Sequence, residues 1–144
     1  MERSLLDTDT FSEILRARDV TIRSNADKYL SIFGHFTFSV VTVAELIDGF
    51  RRQQLDSHIQ KLLAELEGEF HEIIPLHLDA AKLAGYIFGD LHRSGRPIGR
   101  ADPFIAAIAI QANTPLVTGN TKHFERIQAL GYPLRLANWR EPTA

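Results

Sequence analysis

Five short runs of strand length alternate along the chain with segments of helical spacing, and no other feature restricts the fold as much. The runs are SLLDT from Ser4, FTFSVVT from Phe36, HEIIPL from His71, TPLVT from Thr114 and YPLRL from Tyr132. Between them lie the helical patterns DTFSEILRAR, ADKYLSIF, TVAELIDGFRR, LDSHIQKLLAELEGEF, HLDAAKLAGYIFGDLHRSG, ADPFIAAIAIQAN and KHFERIQAL. Strands alternating with helices specify βαβ units, so the expected fold class is α/β. A mostly parallel central sheet of about five short strands should carry helices on both faces. In the third pattern Val43, Leu46, Ile47 and Phe50 make a buried helical stripe, whereas FIAAIAI is apolar all round and belongs to a helix buried on most of its surface. Gly34, Gly95, Gly99 and Gly131, with Pro97 and Pro133, punctuate loops, and residues 1–144 read as a single domain. The helical region from Gln54 to Phe70 is a candidate for a projecting hairpin.

Composition narrows the chemistry. The chain has no cysteine, which excludes disulfides, zinc-thiolate sites and thiol catalysis and suits a reducing compartment. The opening MERSLLDTDT has too few apolar residues for a signal peptide, and FIAAIAI is far short of a membrane span, so a cytoplasmic protein is expected. A formal net charge of -2 provides no global attraction to polyanions. Any such partner must be met locally, by Arg93, Arg96 and Arg100 in HRSGRPIGR or by the pair Arg51 and Arg52.

Ligands of open parallel sheets bind outside the carboxyl ends of the strands. Asp7 follows the first expected strand, Ser39 and Thr42 the second, and Thr118, Gly119 and Asn120 the fourth. Each acid near these ends also has a plain structural explanation. Asp7 or Asp9 suits the cap of the following helix, and Asp102 before Pro103 reads as a cap followed by proline at the first helical position. Glu45 lies nearly opposite its helix's apolar stripe, as a solvated residue does. Lys122 and His123 read as first-turn helix residues. The histidines show neither HxH nor HExxH spacing, so a histidine-built metal site is not expected. Together the acids say more: carboxylates that converge without cations need a hard divalent ion to offset their repulsion, and magnesium or manganese fits.

Asp7-Thr8-Asp9-Thr10 resembles the D-x-D-x-T signature of haloacid-dehalogenase-type phosphatases, in which the first acid is a nucleophile. That alternative lacks its closing acidic motif, because only Glu125 and Glu141 are acidic after Thr118.

Taken in order, LLDTDTFSEIL, FSVVTVAELIDGF, GRPIGRADPFIAAIAI and LVTGNTKHFERI resemble the PIN-domain ribonucleases, most closely the VapC toxins of bacterial toxin-antitoxin pairs. The resemblance spans nearly the whole chain, including the tryptophan-containing tail LANWREP. It implies metal-assisted, endonucleolytic hydrolysis of RNA with Mg2+ or Mn2+. The family's acids fall on Asp7, Glu45 and Asp102, the candidate metal ligands. Its fourth catalytic position, often aspartate, falls on Asn120, which supplies no charge, and Asp9 is placed to supply some of it. Thr8, Ser39 and Thr118 match small hydroxyl positions that support the ligands. Arg93, Arg96, Arg100 and Lys122 become candidate RNA contacts. The resemblance also implies a VapB-type antitoxin that places a basic side chain among the carboxylates, and a homodimeric toxin. A cleft of this kind suits single-stranded or looped RNA better than a duplex. A catalytically silent PIN-like RNA-binding module is the remaining alternative, on the strength of Asn120 and the acidic net charge.

Overall fold

The structure is a computed structural model that describes residues 1–143. Its elements run β1 (Leu5–Leu6), α1 (Thr8–Arg16), α2 (Val20–Phe33), β2 (Thr37–Ser39), α3 (Val40–Arg52), α4 (Asp56–Glu67), β3 (Glu72–Ile74), α5 (Leu78–Arg93), α6 (Asp102–Gln111), β4 (Leu116–Val117), α7 (Thr121–Ala129) and β5 (Leu136–Ala137). Every strand pairing among the described residues is parallel. β4 lies between β1 and β5, with Leu5 opposite Leu116 and Leu116 opposite Leu136, while β2 pairs with β3. β1 lies against β2 without ladder pairing, so the expected central sheet is divided into parts of three and two strands.

Adjacent residues of a strand point to opposite faces, and here they enter separate cores. Leu5 and Leu116 join the core under α5, α6 and α7, whereas Leu6 and Val117 join the core under α1, α2, α3 and α4. Helices therefore cover both faces. α6 is buried through Ile105, Ala106, Ala107, Ile108 and Ala109, as its all-round apolar sequence requires. It packs along α5 through small residues, with Ala80 and Ala84 buried on the α5 side. No helix among the described residues is long and apolar enough to cross a membrane.

Two helices depart from expectation. α2 begins at Val20 rather than Ala26, because the Asp19 carboxylate accepts a bond from the Ile22 N–H at 2.9 Å and caps it. It ends at Gly34, whose φ of +80° is the left-handed conformation that glycine adopts freely. α4 does not project: Leu62 is completely buried, and the helix packs on α1 and α3.

The second core also takes in the C-terminal tail. Trp139 is buried against Tyr29 and Phe36, and the Asn25 amide donates to the carbonyls of Trp139 and Glu141 at 3.0 and 2.9 Å. Near the start of β3, the buried His71 ring accepts the Phe36 N–H at 3.0 Å through Nδ1. The ring replaces the carbonyl that a longer ladder would present to that N–H. His71→Phe leaves the donor buried without a partner, and a loss of about 1–3 kcal/mol is expected in urea unfolding.

Candidate active site

The carboxyl ends of β1, β2 and β4 meet at one open cleft of about 480 Å³. Asp7, Thr8, Asp9, Glu45, Asp102 and Asn120 line it. Ser12, Arg16, Gly49 and Gln53 belong to the same lining.

Asp7 occupies the N-cap position of α1, yet its side chain makes no capping bond. Its backbone N–H instead donates to the Val117 carbonyl at 2.9 Å, which continues the β1–β4 pairing by one step and sets Asp7 beside Thr118. The Thr118 hydroxyl donates to Asp7 Oδ2 at 2.8 Å and in turn accepts the Asn120 N–H at 3.0 Å. Asp7 is 5% exposed. Burial pushes its carboxyl well above the usual range, the neighbouring charges of Asp9 and Asp102 push the same way, and the Thr118 bond opposes them.

Asp9 is no cap either. Its Oδ2 accepts the Gly119 N–H at 3.0 Å, so the loop after β4 is tied to the first turn of α1. A Cβ at Gly119 would come within 2.9 Å of that oxygen and closer still to the Arg140 side chain, so a larger residue here has to displace them.

Glu45 departs from its sequence-based assignment as a solvated residue. The wheel places it off the apolar stripe, but α1 packs across that side of α3, and Glu45 is half-buried there. Thr8 Oγ1 donates to Glu45 Oε1 at 2.5 Å and stands 3.1 Å from Thr42 Oγ1. Ser39 caps α3 by accepting the Thr42 N–H at 3.2 Å. Ser39 and Thr42 thus hold Thr8, and Thr8 holds the carboxylate. Burial raises the Glu45 carboxyl, the Thr8 bond opposes it, and the Asp102 charge adds to the rise.

Asp102 is the first residue of α6 rather than its cap; Ala101 takes the cap position without a side-chain bond. Its carboxylate faces the cleft and meets His123, with Oδ2 2.9 Å from Nδ1. Burial raises its carboxyl, His123 and the Gly99 N–H hold it down, and the Asp9 charge pushes it up. Asn120 takes the N-cap position of α7 and turns its amide to the same imidazole, Nδ2 to Nδ1, at 2.9 Å.

The structure thus gathers Asp7, Thr8, Asp9, Glu45, Asp102 and Asn120 round the cleft, with Ser39 and Thr118 behind them. It does not gather the expected basic residues. Arg93, Arg96, Arg100 and Lys122 are exposed outside the cleft lining, and Arg51 and Arg52 pair with Asp56 and Asp48. Among the described residues the cation that lines the cleft is Arg16, which bonds Ser12 and Gln53 and lies over the Phe50 ring. Its helix position was a usable signal, because Ser12 and Arg16 stand three and seven residues after Asp9, on one face of α1. His123, three residues after Asn120 at the start of α7, is the other site residue that sequence periodicity passed over.

Three carboxyl groups held above their usual range, in a cleft with one arginine, form a site short of positive charge. Their hard oxygen donors fit Mg2+ or Mn2+. Among the described residues no three His, Asp or Glu side chains close round a single point.

The comparisons agree with this arrangement. The PIN domain family matches residues 4–130. The chain is 33% identical to the tRNA(fMet)-specific endonuclease VapC of Shigella flexneri over 90% of its own length and 96% of that protein. It is 32% identical to ribonuclease VapC1 of Methanocaldococcus jannaschii, over 83% and 85% of the two chains. Among solved structures, VapBC-1 from nontypeable Haemophilus influenzae superposes with a TM-score of 0.74 at 28% identity, over 96% of this chain and 98% of that one. DNA-bound VapBC from Salmonella typhimurium gives 0.73 at 29%, over 96% and 99%. With the parallel strands, the acids at their carboxyl ends and the matched residues all in one order, the chain belongs to the PIN-domain family, in its VapC ribonuclease group.

Proposed function

We propose that this protein is the toxin of a type II toxin-antitoxin pair and acts as a divalent-metal-dependent endoribonuclease on single-stranded or looped RNA, in the cytoplasm. The observation that carries the reading is that Asp7, Glu45 and Asp102, from three separate stretches of the chain, line one cleft together with Asp9 and Asn120. When bound there, Mg2+ or Mn2+ supplies a water activated near neutral pH and charge to offset the attacked phosphate.

The chain's own residues do the remaining work. Thr118 and Thr8 aim Asp7 and Glu45 by one hydroxyl bond each. Arg16, restrained by Ser12, Gln53 and Phe50, lines the same cleft as the carboxylates and is a candidate to pair with a phosphate of the strand. Arg93, Arg96, Arg100 and Lys122 remain candidates for contacts with RNA that extends beyond the cleft.

The inhibitor is a VapB-type antitoxin, and a surplus of carboxylates in the cleft favours a basic side chain from such a partner. Several of the solved relatives are VapBC complexes. The toxin is a homodimer by the same family reading.

Purified protein should cut single-stranded RNA in the presence of Mg2+ or Mn2+, stop on chelation, and be silenced by the co-expressed antitoxin. Intact RNA with either ion sinks the proposal. Gly119→Ala pushes a methyl group against the Asp9 carboxylate. Cleavage should fall roughly ten- to hundredfold, as for other residues that support a metal site, with circular dichroism unchanged.

A further inference from the structure

Arg140 belongs to the tail beyond the family match, and neither the strand ends nor the motifs assign it a role. Its backbone is fixed on both sides. Trp139 before it is buried, the Asn25 amide donates to the carbonyls of Trp139 and Glu141 at 3.0 and 2.9 Å, and the Arg140 N–H donates to Asn138 Oδ1 at 2.9 Å. From this clamp the side chain crosses Gly119. A Cβ on that glycine would meet Arg140 Nε and would stand 3.1 Å from Arg140 Cδ and 2.9 Å from Asp9 Oδ2. Gly119 does not have a positive φ, so its backbone conformation is open to any residue. What its missing side chain provides is room, in which the arginine stem and the Asp9 carboxylate reach the same point.

The charge carried there is not consumed by the fold. Among the described residues the Arg140 guanidinium donates no hydrogen bond, and its acidic partner is Asp19, 3.6 Å from a terminal nitrogen and beyond hydrogen-bond reach. Both side chains are partly exposed, and a loose pair of this kind contributes little. Asp19 is in any case engaged as the cap of α2. Arg3, Arg18, Arg51, Arg52 and Arg135 differ, each holding a carboxylate within 2.9 Å. Arg140 thus presents a planar fork of donors, the shape that matches phosphate oxygens, beside the Asp9 edge of the cleft. Four acids line that cleft with Arg16 alone to offset them, so an entering polyanion needs cations at the edge.

We propose that Arg140 is an RNA-binding residue, its guanidinium pairing with a backbone phosphate of the single strand at the Asp9 edge of the cleft. This rests on the reading of the cleft as a site that cuts RNA. A phosphate contact fixes the register of the strand and carries no base preference, so Arg140 contributes to binding rather than to the chemical step. The buried Trp139 and the Asn25 bonds are what give the contact a fixed origin.

The test compares full-length parent, Arg140→Gln and Arg140→Lys on a fluorescein-labelled single-stranded RNA of mixed sequence. With Mg2+ present, KM for cleavage should rise about tenfold in Arg140→Gln while kcat stays within about twofold, and Arg140→Lys should recover part of the loss. Binding is followed by fluorescence anisotropy in the Asp7→Asn background, where cleavage is slow. There Arg140→Gln should weaken binding about tenfold and flatten the dependence of log affinity on log salt by about 0.7, the share of one phosphate on a single strand. Arg140→Met keeps an apolar stem over Gly119 and serves if the glutamine variant folds poorly. Either an unchanged KM or an unchanged salt slope overturns the proposal and leaves the nuclease reading standing. So does a fall in kcat alone, which would mark Arg140 as acting through Asp9, or a lower melting temperature with parental binding, which would mark a tether to Asp19. Arg140-dependent binding by a parent that never cuts RNA would overturn the nuclease reading and keep this contact. A parent that neither binds nor cuts overturns both.

Discussion

Asp7→Asn is expected to lower RNA cleavage on the order of a thousandfold while raising the melting temperature of the metal-free protein. The two effects have one origin. Asp7 is almost fully buried, and burial together with the charges of Asp9 and Asp102 raises its carboxyl well above the usual range. The unfolded chain has no such penalty, so between the ordinary aspartate range and the raised folded value the native state holds more protons than the unfolded state. Stability of the metal-free parent therefore falls as pH rises through that window, and the penalty is complete above it. Asparagine has the same shape and still accepts the Thr118 hydroxyl, but it never ionises. The variant should lose the Asp7 share of that pH dependence and melt a few degrees higher at neutral pH. Its cost is the site: a carboxamide is a weak substitute for a charged oxygen ligand, and the charge that stabilises the transition state is a leading contribution in such sites. Saturating Mg2+ should raise the melting temperature of the parent and leave that of Asp7→Asn nearly unchanged. A variant that cleaves RNA at the parental rate, or that melts lower than the parent without metal, contradicts the role assigned to Asp7.

Trp139→Ala is the second large effect, and it concerns a part of the chain that the family match does not include. That match ends at residue 130, yet the following residues contribute β5, the buried Leu134 and Trp139. The indole fills the second core between Tyr29 and Phe36, with ring centroids at 5.3 and 6.4 Å. Truncating a buried aromatic to alanine costs about 3–5 kcal/mol, since the transfer energy is lost and a cavity remains. For a domain of this size that corresponds to a fall in melting temperature of roughly 10–15 °C. Asn25 donates to the Trp139 and Glu141 carbonyls and accepts the Thr143 hydroxyl at 2.7 Å, so the tail is also held by its backbone. A chain ending at residue 130 should lose more than the point variant, because β4 then loses the strand that pairs along its outer edge. Unfolding of both proteins followed by circular dichroism decides the matter. A truncated chain as stable as the parent would mean that the tail merely rests on the surface.

Much of the fold was legible because its periodicities are local. Five apolar runs and seven helical patterns appear, among the described residues, as five strands and seven helices. The all-round apolar α6 could only be an interior helix. The boundaries misread were those set by a polar cap, as when Asp19 lets α2 start at Val20, six residues before its apolar pattern. The divided sheet was not legible, since whether β1 and β2 pair depends on backbone register and not on residue type.

The site divides along the same line. Asp7, Asp9, Thr118 and Asn120 were visible as polar residues at strand ends, a position that topology makes functional in parallel sheets. Asp102 and Glu45 were not separable from a cap and a solvated residue by local pattern. Each became informative only through order along the chain, in its likeness to a known family. Arg16 and His123 escaped both approaches: one has the appearance of a helix-ending cation and the other of a first-turn residue.

The sequence by itself determined the layering of this protein and the strand ends that would carry its acids, because side-chain alternation and helical spacing are properties of neighbouring residues. Only the tertiary structure decided which face of α3 is dry, which cation looks into the cleft and which imidazole meets Asp102. Burial, and with it the raised carboxyls of Asp7, Glu45 and Asp102, arises from elements far apart in the chain that exclude water together. No local pattern encodes that exclusion.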